Sequence, residues 1–334
     1  MPILPKTGFG LWKVPGESAA ETVYQALKAG YRLLDGAADY GNEKECGDGL
    51  KRAISEGIVK REEVYVVSKL WNTFHAKEHV PIGLQRSLSD WGVSYFDLYL
   101  IHFPVSLKYV DPSVRYPPEW WDGTPGGPVT PSNVPVAETW SAMEDAHTAG
   151  LAKEIGISNF NGSLLIDLIR GAKIPPSVIQ IEHHRKLYHS MGRSLRKTPD
   201  PFTSAAYLAQ PAMTDLCLNV LKMQVMAYSS FGPQSFLEIG HEGALAEKSL
   251  LDSPVIAEVA KKHGKTPAQV LLRWATQRNI TVIPKSNNVQ RAAQNLSHEN
   301  FQLKKEDFES IATLDKGLRF NNPAGIDARL AFFA

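Results

Sequence analysis

Four side chains that can hold or transfer a proton follow apolar segments in the first third of the chain. Asp35 closes one such segment and Tyr40 lies in the loop beyond it, while Lys69 and His102 lie at the ends of the next two. A tyrosine acts as an acid near neutral pH only if its pKa falls from about 10. Taken singly, each group is more often a surface charge or a satisfied core residue. Taken together, they predict one proton-transfer site at successive strand ends.

The elements that must position these groups form a regular alternation of apolar strands and amphipathic helices. The predicted strands are Thr7–Val14, Tyr31–Gly36, Val64–Leu70, Phe96–Phe103, Lys153–Ser158, Val178–Glu182, Val225–Ser229 and Thr281–Lys285. The predicted helices are Ala19–Ala29, Glu43–Glu56, Val80–Trp91, Ala137–Ala149, Gly162–Gly171, Pro211–Leu221, Val255–His263 continuing to Thr266–Gln277, and Val289–Leu296. This order predicts the α/β class and a (β/α)8 TIM barrel with long loops on its C-terminal rim, formed by residues 1–334 as one domain.

Composition narrows the class of protein. The chain has 334 residues, 43% of them hydrophobic and 21% charged, with a formal net charge of +1. This balance gives no argument for binding to nucleic acid or to a membrane. The N-terminus has no signal-peptide core, and Cys46 and Cys217 lie in separate helical patterns. We therefore expect free thiols and a cytoplasmic location.

Two aromatic stretches are candidates for covering the site. The connection Phe103–Pro135 is far longer than usual and rich in proline, glycine and aromatic residues. Since it follows a strand on the predicted active rim, we interpret it as a substrate-covering loop, with an inert insertion as the alternative. The tail from Leu318 carries Phe320, Phe332 and Phe333 and could fold over the same rim.

Other motifs are weaker. His183 and His184 are neighbours on a strand, so their side chains point to opposite faces and cannot chelate together; a structural role and no metal site are expected. Ile283–Asn287 closes the last strand before a helix, where Lys285, Ser286, Arg291 and the helix N-terminus would suit a phosphate. The alternative is an ordinary capped helix start with solvated charges.

Longer blocks of sequence carry a resemblance to a known family. They are Gly8–Lys13, Gly30–Glu43, Val67–Trp71, Asp97–Pro104, Ile155–Phe160, Gln180–His184, Ala227–Ser235, Ile283–Asn287 and Leu318–Asn321. In content and order they resemble the aldo-keto reductases, and within that family the fungal NAD(P)H-dependent D-xylose (aldose) reductases. The resemblance covers nearly the whole chain and independently implies the (β/α)8 barrel.

The resemblance implies a catalytic tetrad of Asp35, Tyr40, Lys69 and His102. The Lys69 ammonium, tied to Asp35, would depress the pKa of Tyr40. Tyr40 would then protonate a carbonyl oxygen positioned by His102 while a nicotinamide delivers hydride to the carbon.

The resemblance also implies cofactor and substrate contacts. Ser158, Asn159 and Gln180 would bind the carboxamide, and Tyr228 would stack under the nicotinamide ring. The cofactor contacts continue with Ser229, Phe231, Gln234 and Glu238 across the pyrophosphate and adenosine, Lys285, Ser286, Asn287 and Arg291 at the 2′-phosphate and adenosine, and Gln294 and Asn295 at adenine. Trp12, Asp39, His102 and Asn321 would face the substrate.

One tract departs from the family. The 22 residues Arg185–Ala206 interrupt a block that the family continues with a single proline. Codons for Arg185–Lys186 can contain a splice donor and those for Ala205–Ala206 an acceptor in the same phase, and joining them restores that proline. We interpret the tract as a retained intron, with a genuine surface loop as the alternative. If the tract is translated, we expect it to be poorly ordered and to lower the activity or the yield of the protein. The chain also lacks most of the family's N-terminal β-hairpin, for which a misplaced start codon is one explanation.

These observations predict a reductase of aldoses and aldehydes, with D-xylose giving xylitol. A glycerol or general aldehyde reductase is the nearest alternative enzyme. An alternative from another functional class is a non-catalytic barrel that binds nucleotide. Lys285 and Arg291 favour NADPH, because they would contact its 2′-phosphate. The use of NADH as a second cofactor remains an alternative. A homodimer and a small-molecule substrate are the expected partners.

Overall fold

The structure, a computed structural model, describes residues 4–186, 206–208, 210–238, 240, 242–245, 249–314 and 319–333. The predicted insertion 185–206 therefore lies almost entirely outside the described residues. The chain forms two compact units. The first comprises Met1–Gln180, Lys285–Ala292 and Asn322–Ala334, and the second comprises Ile181–Pro284 and Ala293–Asn321.

Eight strands follow one another in chain order in a single sheet. They are β1 (Phe9–Gly10), β2 (Leu33–Asp35), β3 (Tyr65–Leu70), β4 (Phe96–Ile101), β5 (Ala152–Ser158), β6 (Val178–Glu182), β7 (Gln224–Tyr228) and β8 (Ile280–Val282). The strand pairs whose register is defined, from β1 to β6 and between β7 and β8, are parallel. The side chains of β2 and β4 are all buried, including those of Asp35 and Asp97, as expected for parallel strands that are covered on both faces.

Helices connect these strands. They are α1 (Gly16–Ala29), α2 (Glu43–Ser55), α3 (Val80–Trp91), α4 (Val136–Thr148), α5 (Gly162–Gly171), α6 (Pro211–Asp215), α7 (Gln234–Leu237), α8 (Glu242–Leu245), α9 (Pro254–His263), α10 (Pro267–Thr276), α11 (Val289–Leu296) and α12 (Lys305–Ala312). A separate pair of short strands, His184–Lys186 and Ala206–Leu208, borders the predicted insertion.

Helix α2 packs very closely against its two neighbours. A Cβ added at Gly49 would meet the Ala20 carbonyl oxygen of α1 at 2.3 Å, and one added at Gly47 would meet the Trp91 carbonyl oxygen at 2.5 Å. Any side chain at either position would push helices apart, because the obstructing atoms are backbone. The two glycines thus allow α2 to pack directly on α1 and α3. This packing also fixes the end of the loop from Asp35 to Glu43, which leads into α2.

The structure reproduces four predicted elements at both ends and shifts the bounds of the others. α3, α5, β6 and α11 have the predicted limits, whereas β1 covers two of the eight residues predicted for the first strand. The chain turns after β1, with Lys13 at a φ of 61°. The predicted helix Pro211–Leu221 divides into α6 and a π-helical turn, Leu216–Val220. Helix α12 was not predicted.

Both cysteines are buried free thiols, as expected. Within the described ranges, the structure contains no helix with the length and apolar character needed to cross a membrane.

Candidate active site

A buried ion pair joins the ends of β2 and β3. The Lys69 ammonium nitrogen lies 3.0 and 2.9 Å from the two Asp35 carboxylate oxygens and also donates to the Gly36 carbonyl oxygen at 2.8 Å. Parallel pairing of Asp35 with Val67 brings these groups to the same edge of the sheet. Burial lowers the pKa of Lys69, and the adjacent Asp35 carboxylate counteracts that lowering.

Tyr40 completes this group through its hydroxyl oxygen. It ends the short 3-10 turn Ala38–Tyr40 that follows β2, and the left-handed Gly41 (φ 66°) closes the turn. The turn directs the phenol back towards β3, so that the Lys69 ammonium nitrogen lies 3.1 Å from the Tyr40 hydroxyl oxygen. A phenol in contact with a buried ammonium is a suitable proton donor, because the cation stabilises the phenolate that remains.

His102 follows the last residue of β4, which ends two residues before the predicted limit at Phe103. Its ring centroid lies 5.8 Å from that of Tyr40, in an edge-on arrangement. Burial, followed by the positive charge of Lys69, holds the pKa of His102 well below its usual range. The imidazole is therefore neutral near pH 7, and it can orient an oxygen by donating a hydrogen bond without carrying charge.

The residues predicted for the carboxamide site surround this group in the first unit. Gln180 donates from its amide nitrogen to an Asp35 carboxylate oxygen at 2.7 Å. Asn159 donates from its side-chain amide to the His102 carbonyl oxygen at 2.9 Å and to the Ser158 hydroxyl oxygen at 3.1 Å. All three predicted residues are buried. The structure thus brings them together with the tetrad.

Glu43 is a buried carboxylate that sequence reasoning did not select. It begins α2 and accepts hydrogen bonds from the Ser68 hydroxyl at 2.5 Å, the Ser87 hydroxyl at 2.7 Å and the Trp91 ring nitrogen at 2.9 Å. Burial raises its pKa despite these three donors. Because Ser68 precedes Lys69, Glu43 ties the strand that carries the lysine to α3. Its position at the start of an otherwise amphipathic helix gave no distinguishing signal.

The long connection Phe103–Pro135 contacts the tetrad through Trp71. The Trp71 ring nitrogen donates to the Glu119 carbonyl oxygen at 3.0 Å, and the Trp71 ring lies 5.4 Å from that of His102. Trp120 packs edge-on against Trp71 at 5.0 Å. This connection lies against the ring beside His102, as a loop that covers the site would.

The C-terminal tail of the first unit reaches the same aromatic group. The Phe332 ring lies 6.3 Å from that of Phe103, and Asn161 donates to the Phe332 carbonyl oxygen at 2.6 Å. Leu330 is buried against Leu107. The tail therefore packs beside the residue that follows His102.

In the second unit, Glu182 anchors the segment that carries Asn321. Its carboxylate accepts the backbone N–H groups of Phe320 and Asn321, each at 3.0 Å, and lies 2.6 Å from a ring nitrogen of His184. Asn321 in turn donates from its side chain to the Tyr228 hydroxyl oxygen at 2.9 Å. Two predicted site residues, Tyr228 and Asn321, are thus held together.

The adjacent histidines have structural surroundings. His184 is buried in the pair with Glu182, and the His183 ring stacks on Trp274 at 5.1 Å. Among the described residues, no group of three or more His, Cys, Asp or Glu side chains could hold a metal ion.

The other predicted cofactor residues of the second unit lie along the loop after β7 and at the end of α11. Ser229 has a left-handed backbone (φ 55°), Gln234 begins α7 and Glu238 is exposed just after it. Phe231 is half-buried, Gln294 is exposed and Asn295 is buried.

The predicted phosphate residues surround the start of α11 in the first unit. Asn288 caps the helix by accepting the Arg291 backbone N–H at 2.8 Å, and the Ser286 hydroxyl oxygen accepts the Asn288 backbone N–H at 3.2 Å. Asn287 and Arg291 are exposed, and Lys285 is half-buried. Sequence reasoning missed the cap at Asn288, although an asparagine directly before a helix is a recognised start signal.

The two remaining predicted substrate residues lie in the first unit. Trp12 is half-buried, with the Lys13 ammonium 5.0 Å from its ring centroid. Asp39 lies directly before Tyr40 in the 3-10 turn, and its pKa rises to about 7, first through burial and then through the charge of Glu119.

Comparison with known proteins places this arrangement in a family. The chain is 51% identical over 330 residues to "Probable NAD(P)H-dependent D-xylose reductase xyl1" of Aspergillus flavus, covering 99% of this chain and 96% of that protein. It is 51% identical over 321 residues to "NAD(P)H-dependent D-xylose reductase XYR1" of Pyricularia oryzae, covering 96% and 92%.

The fold has a close structural counterpart. The aldose reductase of Schistosoma japonicum superposes with a TM-score of 0.81 at 31% identity, over 98% of this chain and 94% of that one. The (β/α)8 barrel predicted from the strand–helix alternation is thereby confirmed. The sequence profile of the Aldo/keto reductase family matches residues 6–316, and the chain belongs to that family.

Proposed function

We propose that the protein is an NADPH-dependent reductase that converts aldoses to the corresponding alcohols, with D-xylose giving xylitol. The observation that carries this proposal is the contact of 3.1 Å between the Lys69 ammonium and the Tyr40 hydroxyl, with Lys69 held by Asp35. The relatives named as D-xylose reductases support the choice of substrate.

The proposed mechanism assigns one task to each of the four side chains. Tyr40 gives its proton to the carbonyl oxygen of the substrate, and the Lys69 ammonium stabilises the phenolate that forms. Asp35 holds the ammonium in place. His102, neutral in this environment, orients the carbonyl oxygen. A nicotinamide held by Ser158, Asn159 and Gln180 would supply the hydride for the carbonyl carbon.

The residues present suit that cofactor chemically. Ser158, Asn159 and Gln180 supply one hydroxyl and two amide groups, which match the donors and acceptors of a carboxamide. Lys285, Ser286 and Arg291 lie at the start of a helix, where backbone N–H groups and cations favour a phosphate. We propose that the remaining predicted cofactor residues make the contacts that the resemblance implies.

For the substrate, we propose that Trp12, Asp39 and Asn321 contact the sugar hydroxyl groups. A carboxylate beside Tyr40 can accept hydrogen bonds from a polyol. Such contacts would distinguish a sugar from a small aldehyde.

The decisive experiment is NADPH oxidation with D-xylose by the wild type and by Tyr40→Phe. Removing one hydroxyl from the site is expected to lower kcat by about 10²–10⁴-fold while NADPH still binds, because only the proton donor is lost. Tyr95→Phe is the matched control, since Tyr95 precedes β4 at its opposite end and its loss should leave the rate unchanged. Equal rates for wild type and Tyr40→Phe would contradict the mechanism.

The alternatives give other results in the same assay. A general aldehyde reductase would turn over glyceraldehyde but use D-xylose poorly. A non-catalytic nucleotide-binding barrel would bind NADPH and reduce neither substrate.

The preference for NADPH can be tested at Arg291. Because this exposed cation is proposed to contact the 2′-phosphate, Arg291→Ala should raise KM for NADPH by about tenfold and leave KM for NADH nearly unchanged. Lys261→Ala, which removes an exposed cation from α9, is the control. If Arg291→Ala raised both KM values equally, the 2′-phosphate contact would be wrong.

We also propose a cytoplasmic location, which fits a reductase supplied with cytoplasmic NADPH. The expected homodimer stays a prediction.

A further inference from the structure

We propose that Glu43 is a positioning residue for the transfer of the Tyr40 proton, and that it acts through Ser68. The Glu43 carboxylate joins the chain segment that carries Tyr40 to the strand that carries Lys69. This inference rests on the proposed function, because it concerns how the proposed proton donor and its cation keep their contact.

The hydrogen bond between Glu43 and Ser68 joins these two segments close to the reacting groups. The Ser68 hydroxyl donates to a Glu43 carboxylate oxygen at 2.5 Å. Glu43 lies three residues after Tyr40, and Ser68 lies directly before Lys69. This bond therefore spans the same two segments as the contact of 3.1 Å between the Lys69 ammonium nitrogen and the Tyr40 hydroxyl oxygen.

Ser68 and Lys69 lie on opposite faces of β3. Successive side chains of a strand point to opposite faces of the sheet, so the serine lies behind the strand as seen from the Lys69 ammonium. Both side chains are fully buried. Glu43 thus reaches the strand from the face opposite to the Lys69 side chain, which is the place of a positioning residue rather than of a catalytic one.

The residue before Glu43 anchors the same segment elsewhere. The Asn42 amide nitrogen donates to the Leu11 carbonyl oxygen at 3.0 Å and to the Val14 carbonyl oxygen at 2.8 Å. Asn42 and Glu43 are both buried. The turn Ala38–Tyr40 is therefore followed by two anchored residues, one held by the loop after β1 and one held by β3.

Both oxygens of the Glu43 carboxylate are fixed. One accepts from Ser68 and from the Trp91 ring nitrogen, and the other accepts from the Ser87 hydroxyl. Burial raises the pKa of Glu43, so the three donors hold this group in place against a cost of desolvation. The donors belong to β3 and α3, and together they set the position of the first residue of α2.

The test compares two serines that bond to the same carboxylate. Ser68→Ala removes the bond to the strand that carries Lys69, and Ser87→Ala removes the corresponding bond to α3. Both serines are fully buried, so each variant loses one hydroxyl from the same polar group. For wild type and both variants we would measure kcat and KM, the unfolding temperature, and the single-turnover rate of NADPH oxidation with D-xylose per bound NADPH.

We expect Ser68→Ala to lower the single-turnover rate and kcat by about 10-fold, because a proton donor displaced from its cation is poorly aligned for reaction. KM for NADPH should stay nearly unchanged. Ser87→Ala should lower the unfolding temperature by a similar amount but change the rate less than twofold. An unchanged rate in Ser68→Ala, or equal losses of rate in both variants, would overturn the inference, since equal losses indicate a purely structural role.

Glu43→Met tests the same bond from its other end. Methionine keeps much of the bulk of the side chain but offers no carboxylate oxygen, so the variant should lose at least as much rate as Ser68→Ala. Adding Ser68→Ala to Glu43→Met should then have no further effect, because the partner of the serine is already gone. A second loss that multiplies the first would show independent effects and overturn the inference. Asp48→Asn, which removes an exposed carboxylate from α2, is the control.

Hydrogen exchange keeps the inference separate from the proposed function. The backbone N–H groups of Tyr40 and Gly41 close the turn with hydrogen bonds of 3.0 and 3.4 Å, and mass spectrometry follows their exchange with deuterium. Faster exchange in Ser68→Ala but not in Ser87→Ala supports the positioning role even if no aldehyde is reduced. Failure of the wild type to reduce any aldehyde would overturn the reductase function alone, whereas equal exchange in the two variants would overturn the role of Glu43.

Discussion

Lys69 is fully buried, and its ammonium makes four contacts with oxygen atoms. It contacts both Asp35 oxygens, the Gly36 carbonyl oxygen and the Tyr40 hydroxyl oxygen, and its side chain has no solvent exposure. Taking both charges of such a pair from water is costly, so the pair need not stabilise the fold. Its value lies in fixing a cation against the proposed proton donor.

This view predicts a split between stability and activity in Lys69→Met. The free energy of unfolding should fall by about 3–5 kcal/mol, because Asp35 is left as a buried charge without its cation. Adding Asp35→Asn should recover part of that loss, since the uncompensated charge is gone, but no activity. Urea unfolding and NADPH oxidation measure the two effects. Recovery of activity in the double variant would contradict the role of Lys69.

Individual residues differ in how far the sequence reveals them. Asp35, Lys69 and His102 could be selected because each lies at the end of a recognisable apolar strand, and Tyr40 because it lies in the loop after the first of these strands. Glu43 could not, because its significance depends on partners that are distant in the chain. Only the structure shows that Ser68, Ser87 and Trp91 all donate to Glu43.

Among the elements, the segment from Arg319 to Asn321 donates two backbone N–H groups to one carboxylate. Glu182, the last residue of β6, accepts two of its backbone N–H groups and also pairs with His184. Such charge-assisted hydrogen bonds are stronger than neutral ones. They satisfy two backbone N–H groups of a short stretch that has no secondary structure of its own. The carboxylate thereby positions Asn321 against Tyr228.

We therefore expect Glu182→Gln to loosen this segment. An amide has one acceptor oxygen, so it cannot replace both bonds, and the backbone amides of Phe320 and Asn321 should exchange with deuterium faster. Hydrogen exchange followed by mass spectrometry measures this. Glu258→Gln, which removes an exposed carboxylate from α9, is the control. Unchanged protection in Glu182→Gln would show that the segment is held by other contacts.

Prediction of the elements succeeded where one periodicity dominates. α3 and α5 alternate polar and apolar residues at helical spacing between clear boundaries, and both bounds were correct. The helix after Pro211 was predicted as continuous, because apolar spacing does not distinguish an α-helix from the π-helical turn at Leu216–Val220. The first strand was predicted too long, because the apolar residues Leu11, Trp12 and Val14 continue the pattern although the chain turns at Trp12 and Lys13.

At the scale of the whole molecule, the largest departure from the family is the tract Arg185–Ala206. The tract lies between β6 and α6, and its borders, His184–Lys186 and Ala206–Leu208, pair as two short parallel strands. We propose that the tract is a retained intron and is absent from the functional enzyme; the alternative is a genuine surface loop. Amplifying the transcript distinguishes these two origins.

The experiment on the tract compares two proteins: the full chain, and a shorter chain in which a single proline replaces Arg185–Ala206. The shorter chain should unfold at higher temperature or give a greater yield and at least equal kcat with D-xylose, because closing a shorter loop costs less conformational entropy. Thermal unfolding and NADPH oxidation measure both. Lower stability and activity of the shortened chain would identify the tract as an integral part of the enzyme.

The enclosure of the Lys69 ammonium also has a consequence for covalent labelling. Lysine-directed reagents act on accessible, deprotonated amines, so this fully covered lysine should stay unmodified while the folded protein is labelled elsewhere. Inactivation by such a reagent would then indicate a lysine outside the tetrad, and protection by a bound nucleotide would favour Lys285, which we propose as a phosphate contact. Attachment to a support through exposed lysines, with NADPH present as a protectant, is accordingly compatible with an intact site.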